Sequence, residues 1–197
     1  MSPHSPEDSG TLSPAPALRI ARTADIPALH RLIDASVRAL SRGYYSEAQI
    51  ASGLRHVFGP DSALIADQTY FVIETDGVLA AAGGWSRRRT LYGGDQTKSG
   101  PDPLLDALTE PARIRAFFVD PRFARRGLAR RLFEHCAAEA ARDGFSALEL
   151  MATLPGVPLY LALGFESLEH AAPLLADGVA LPMIRMRRSL GVVERTH

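Results

Sequence analysis

The stretch from Ile114 to Phe133 (Ile-Arg-Ala-Phe-Phe-Val-Asp-Pro-Arg-Phe-Ala-Arg-Arg-Gly-Leu-Ala-Arg-Arg-Leu-Phe) reads as a buried strand, a tight basic turn and the start of a helix. A strand that feeds directly into a helix calls for a layered α/β arrangement. The first N–H groups of a helix have no partner within it and carry partial positive charge, so an anionic group such as a pyrophosphate can replace the missing acceptors. Gly127 lets a ligand approach the backbone without a side chain in the way. Arg125, Arg126, Arg130 and Arg131 surround the turn with fixed charge, although helical spacing prevents all four from facing one ligand.

The remaining elements follow from periodicity and punctuation. Residues 1–16 are rich in Pro and Ser and read as a disordered leader. Residues 17–190 read as one domain and 191–197 as a flexible tail. Leu18 to Ala21 suits a short strand, and Thr23 is placed to cap a helix carrying Ile26, Leu29, Leu32, Ile33, Val37 and Leu40 on one face. A second helix starts at Ser46 and stops around Gly59-Pro60. Tyr70 to Glu74 and Val78 to Ser86, joined through Asp76-Gly77, form a hairpin. Residues 87–111 lose periodicity and read as a long connection with a helical turn at Leu104 to Leu108. Ala112 to Val119 is a strand, followed by a helix that ends near Gly144. A strand from Ala147 to Ala152, a short helix from Pro155 to Leu163, and strands at Phe165 to Leu168 and Val179 to Met186 complete the order. The expected fold is α/β: a mixed sheet of about six to seven strands flanked by about four helices, with a parallel crossover from Ala112 to Ala152.

Composition narrows the function. Lys plus Arg and Asp plus Glu are balanced at 22 each, which leaves no overall field for nucleic acid or an anionic membrane. The single cysteine, Cys136, excludes an intrachain disulfide and a thiolate metal cluster. Without a spanning apolar run or a signal pattern, the expectation is a cytoplasmic protein with no nucleic-acid, membrane or metal partner.

The element order, Ala124-Arg-Arg-Gly-Leu-Ala129 at the central turn and Leu159-Tyr-Leu-Ala-Leu-Gly-Phe165 one unit later, resembles the GNAT superfamily of N-acetyltransferases. In that family the turn has the pattern Gln/Arg-x-x-Gly-x-Gly/Ala; Gly127 and Ala129 match, whereas Ala124 replaces the first residue. The resemblance implies acetyl-CoA as acyl donor, held by Phe118, Val119, Arg125, Arg126, Gly127, Leu128, Ala129, Arg130 and Thr153. It implies that the strand through Phe117-Phe118-Val119 lies beside the pantetheine arm, and that the following strand diverges to admit it. Tyr160 matches the tyrosine that protonates the departing thiolate in many relatives. The implied activity is N-acetylation of a small-molecule or peptide amine by direct attack in a ternary complex. The alternative is a non-catalytic acyl-CoA-binding or regulatory module on the same fold. A homodimer is common in that family.

Such chemistry needs an unprotonated nucleophile, a polarised thioester carbonyl and a proton for the leaving sulfur. A backbone N–H near Phe118 is placed to polarise the carbonyl, and Tyr160 to act as general acid. Tyr160 alone reads as a packing residue; only the constellation with the turn reverses that. Phe117 borders the reacting end. Trp85, after Gly83-Gly84, is either an acceptor-site wall or a plug beneath the long loop. Tyr44 and Tyr45, between the first two helices, either line the acceptor pocket or pack as plugs. Glu47, His56, Glu110, Asp120, His135 and Glu149 are the candidate bases, and the sequence selects none of them.

Overall fold

The computed structural model describes residues 15–191. Residues 1–14 and 192–197, which hold most of the expected leader and tail, lie outside the described residues. The elements run β1 (Ala17–Ile20), α1 (Ile26–Leu40), α2 (Glu47–His56), α3 (Ser62–Ala66), β2 (Tyr70–Thr75), β3 (Val78–Ser86), β4 (Ala112–Val119), α4 (Leu128–Arg142), β5 (Ala147–Thr153), α5 (Val157–Ala162), β6 (Glu166–Ala171) and β7 (Met183–Ser189). The strands form one sheet in the order β1-β2-β3-β4-β5-β7-β6. Among the described strands only β4 and β5 are parallel neighbours, as α4 crosses between them.

Alternation along β2 divides the core between two faces. Phe71 and Ile73 join Leu132, Phe133 and Cys136 of α4, whereas Tyr70 and Val72 join Leu29 and Leu32 of α1. On α1 the buried residues Leu29, Leu32, Ile33, Ser36 and Val37 fall on one stripe. The Ser46 hydroxyl accepts the Gln49 N–H at 3.2 Å and the Gln49 side chain accepts the Ser46 N–H at 3.0 Å, a capping box that starts α2. The hairpin turn has φ of 49° at Asp76 and 72° at Gly77, the pair of positive angles that Asp-Gly tolerates.

Four local expectations are corrected. Thr23 opens a short 3-10 turn and Asp25 precedes α1 as its N-cap. α3 was not foreseen, because its five residues are too few to show a period; Asp61 starts it by accepting the Ala63 and Leu64 N–H groups. The turn expected at Leu104 to Leu108 lies two residues later: Leu105 donates to the Arg87 carbonyl at 2.7 Å and is extended, and the Asp106 carbonyl accepts the Thr109 and Glu110 N–H groups at 3.1 and 2.8 Å. The last strand begins at Met183 rather than Val179, since the carbonyls of Ala180 and Pro182 are taken by Gln49 and Tyr45 side chains.

Candidate functional site

β4 contains the irregularity that shapes the site. Ala82 pairs with Phe118 and Gly84 with Arg115, so Gly83 alone faces both Ala116 and Phe117. Such an extra residue is a β-bulge, and Ala116 has φ of 56° to accommodate it. The Tyr70 hydroxyl donates to the Ala116 carbonyl at 3.4 Å. Gly83 is needed here for packing, since a Cβ would stand 2.8 Å from the Phe117 ring. β4 pairs with β5 only at Ala112↔Leu148 and Arg113↔Glu149. Beyond that point the two strands separate, and the edge of β4 that faced β5 loses its ladder partners. The Val119 N–H is met by the Ser36 hydroxyl of α1 at 3.2 Å.

A cavity of about 230 Å³ occupies this wedge. Its walls are the end of α1 (Ser36, Val37, Leu40, Ser41), Val57 to Gly59, Leu91 to Gly94, Ile114 to Val119 of β4, and Met151 and Thr153 of β5. Ala129, Pro155, Gly156, Leu159, Tyr160 and Met183 close it. Tyr160 packs edge-on against Phe165 with ring centroids 5.6 Å apart. Its hydroxyl has no hydrogen-bond partner among the described residues, and burial pushes the phenol above its ordinary pKa. Gly156 makes room for that ring, because a Cβ there would lie 3.2 Å from it.

Two buried ionic groups frame the wedge. At its closed end the Glu149 carboxylate accepts Arg113 at 2.6 Å and Arg185 at 3.0 Å, linking β4, β5 and β7. Desolvation lowers the Arg113 pKa against the raising effect of Glu149. Along the wall, Arg115 is paired with Asp61 at 2.8 Å and donates to the Gly93 carbonyl at 2.5 Å, while Lys98 also reaches Asp61. This network ties the 91–98 segment to β4 and to the start of α3. Glu149, one of the candidate bases, is thus held between two guanidinium groups.

At the far side, Gly127 has φ of 80° and precedes α4 without a side-chain cap on the helix N–H groups. Open space surrounds the position a Cβ would take. Arg125 has φ of 62°, so the turn carries two left-handed residues on either side of Arg126, a form in which backbone N–H groups can converge. Arg126 lies over the Phe123 ring at 5.3 Å, and Arg131 donates to the Pro16 carbonyl at 2.7 Å. Arg125, Arg126 and Arg130 are exposed; Leu128 is buried in the core beneath.

Of the residues singled out in the sequence, Phe117, Phe118, Val119, Ala129, Thr153 and Tyr160 line the cavity. Arg125, Arg126, Gly127, Leu128 and Arg130 stand outside its walls, at the basic turn. Three expected acceptor-side residues are not at the cavity. Trp85 is 2% exposed and packs on the α4 face against Phe145, the plug reading of that residue. Tyr45 is buried, and its hydroxyl donates to the Pro182 carbonyl at 2.6 Å and accepts the Leu154 N–H at 2.9 Å. Tyr44, its neighbour across the turn, is half exposed to solvent. Ser36, Phe58, Tyr92, Arg115 and Met151 line the cavity and were missed. Only the buried stripe of α1 contained a signal for one of them, a serine at a core position.

The sequence matches the Acetyltransferase (GNAT) family over residues 35–165, more than half of the chain. No curated protein matches it. Among solved structures it is similar to a GCN5-related N-acetyltransferase from Rhodopseudomonas palustris, with a TM-score of 0.63, 19% identity, and 91% of this chain and 98% of that one covered. It is similar to PaiA N-acetyltransferase from Thermoplasma acidophilum in complex with coenzyme A (TM-score 0.60, 12% identity, coverage 89% and 99%). The yncA protein of Salmonella typhimurium, solved with its cofactor acetyl-CoA, gives a TM-score of 0.60 at 16% identity, covering 93% and 99%. These likenesses agree on the fold, and no helix among the described residues is long and apolar enough to cross a membrane. With the bulged β4, the β4–β5 wedge and the uncapped α4 in hand, the family match places this chain in the GNAT acetyltransferases.

Proposed function

We propose that the protein transfers an acetyl group from acetyl-CoA to a primary amine by direct attack in a ternary complex. The observation that carries this reading is the cavity between β4 and β5, with the unpartnered Tyr160 hydroxyl on one wall and the uncapped start of α4 at its rim. The residues present suit the donor. A cavity of about 230 Å³ accommodates an acyl-pantetheine end and a small acceptor, and leaves a nucleotide outside, beside Arg125, Arg126 and Arg130. The free N–H groups at Gly127, Leu128 and Ala129 would hold the pyrophosphate. The exposed edge of β4 from Phe117 to Val119 would pair with the pantetheine amides.

When bound, acetyl-CoA supplies an activated thioester. The Asp120 N–H pairs with the Ala80 carbonyl on β3 and the Val119 N–H turns the other way, so alternation sends the Phe118 N–H toward Ala82 and the Phe117 N–H to the open edge. The Phe117 N–H is the group we assign to the thioester oxygen, as a fixed donor aimed at developing charge. The amine nitrogen forms the C–N bond as the C–S bond breaks. The Tyr160 phenol gives its proton to the departing sulfur and recovers one from the amine nitrogen, so no net proton is consumed. Its raised pKa keeps that proton in place throughout the neutral range.

The test combines binding and turnover. A ligand at a hundred times its dissociation constant adds about 2.7 kcal/mol to the folded state. Acetyl-CoA should therefore raise the unfolding temperature, and CoA thiol should appear only when an amine is added. A thermal shift without release from any amine would favour a non-catalytic acyl-CoA-binding module, and no shift at millimolar acetyl-CoA would remove both readings.

A further inference from the structure

Among the residues lining the cavity there is no aspartate, glutamate, histidine or lysine; its ionisable groups are Tyr92, Arg115 and Tyr160. Arg115 is already neutralised by Asp61 at 2.8 Å. Val37, Leu40, Val57, Phe58 and Leu91, with the Tyr92 ring, give the lining an apolar wall from the end of α1, the end of α2 and the following loop. The three buried carboxylates around the cavity are engaged, Asp120, next to Val119, being held by Arg122 at 2.7 Å. Asp61 serves Arg115, Lys98 and the start of α3, and Glu149 serves Arg113 and Arg185. Each of the three would surrender its ion pairing on taking a proton.

An ammonium ion entering such a cavity would lose its water without gaining a counterion, which is strongly unfavourable. Nor does any lining side chain offer to remove its proton. The acceptor must therefore be neutral when it binds. At neutral pH an α-amino group, with pKa of about 8, is free base in roughly one molecule in five to ten. A lysine-like amine, with pKa of about 10.4, is free base in only about one in a thousand.

Resting on the acetyltransferase reading above, we propose that the acceptor is an apolar, weakly basic primary amine, of the kind carried by a hydrophobic α-aminoacyl compound, and that it enters as the free base. Polycationic and strongly basic amines are excluded by the wall chemistry. Deprotonation takes place in solution, and the protein selects the neutral form by desolvation.

The test measures CoA thiol release by the full chain at saturating acetyl-CoA, with phenylalaninamide, benzylamine, lysine and spermidine as acceptors from pH 6 to 9.5. Phenylalaninamide should exceed spermidine in kcat/KM by at least about a hundredfold at pH 7.5, the ratio of free-base fractions. For each amine log kcat/KM should rise with unit slope below that amine's own pKa, levelling off near pH 8 for phenylalaninamide and still rising at pH 9.5 for spermidine. A break at one common pH for all amines would reveal a base on the protein and overturn the proposal. Preference for spermidine would overturn the acceptor class while leaving acetyl transfer intact, whereas silence from every amine would overturn both. A Leu40→Glu variant adds a carboxylate to the apolar wall and should narrow the phenylalaninamide to spermidine ratio at least about tenfold; an unchanged ratio would show that this wall does not meet the acceptor.

Discussion

Tyr160 and Ser36 both line the cavity, with their hydroxyls in opposite circumstances. The Tyr160 hydroxyl has no partner among the described residues, whereas Ser36 is committed to the Val119 N–H at 3.2 Å. Tyr160→Phe keeps the ring against Phe165 and removes only the proton donor. It should lower kcat by about a hundredfold or more while leaving acetyl-CoA affinity and stability within about 0.5 kcal/mol. A kcat within a factor of two of the parent would remove Tyr160 from the mechanism. Ser36→Ala removes the hydrogen-bond partner of the half-buried Val119 N–H, costing about 1 kcal/mol in the free protein. If the pantetheine arm takes over that N–H, the loss should shrink at saturating acetyl-CoA, which makes the variant bind the donor more tightly relative to its stability. Denaturant titrations with and without acetyl-CoA measure the difference, and an equal loss in both would mean that Val119 does not meet the donor.

At the level of elements, the wedge exists because β4 is clamped to β5 at one end and bulged at the other. The clamp is Glu149, 2% exposed and held by Arg113 and Arg185. Glu149→Ala leaves two guanidinium groups without their partner, one of them largely buried, and should cost about 3 to 5 kcal/mol. A loss below about 1 kcal/mol in urea titration would mean that the strands do not depend on it. The bulge is served by Gly83, where any side chain meets the Phe117 ring at 2.8 Å. Gly83→Val should push that ring towards the cavity and weaken acetyl-CoA binding more than it weakens folding. Sequence periodicity revealed nearly every element, because α1, α2 and α4 each carry a stripe and β2 and β3 are joined by Asp-Gly. The basic turn stood out in its own residues, between a strand and a helix, whereas Tyr160 was singled out by the family resemblance alone, since by itself it reads as a packing residue. The wall away from the basic turn was illegible. Phe58, Leu91, Tyr92 and Arg115 come from a helix end, a long loop and a strand, and they are brought together by the Asp61 ion network, the Gly94 N–H to Val57 carbonyl bond and apolar packing around Val37 and Val57, none of which a spacing encodes. For Trp85 and Tyr45 the sequence left two readings open for the same reason: an aromatic residue beside a cleft and one packed beneath a loop have the same local sequence.

For the molecule as a whole, ionisable groups set a stability plateau with two edges of different origin. On the acid side, Asp25 beside Arg19, Asp67 beside Arg88, Asp120 beside Arg122 and Asp177 bonded to Ser52 all have carboxyl pKa values below the ordinary range. Their contribution is present above the unfolded value of about 4 and is lost as pH falls through that value toward the folded ones. On the alkaline side, burial raises Cys136, Tyr70 and Tyr160, so folding favours their neutral forms. That contribution is complete below the unfolded pKa values, about 8.5 for the thiol and about 10 for the phenols, and declines as pH rises past them toward the folded values. Each group removes up to about 1.4 kcal/mol for every pH unit above its ordinary value. Stability from guanidinium titration should therefore be flat from about pH 5 to 8 and begin to fall near pH 8.5, where Cys136 is the first to respond. Cys136 lies fully buried on α4 with its thiol facing the Gly83 carbonyl at 4.0 Å. Cys136→Ala should lower the plateau by about 1 kcal/mol through the small cavity it leaves, and delay the alkaline decline until about pH 10, where only the phenols remain. A decline that still began near pH 8.5 in the variant would assign the first alkaline step to another group and place Cys136 outside the linkage.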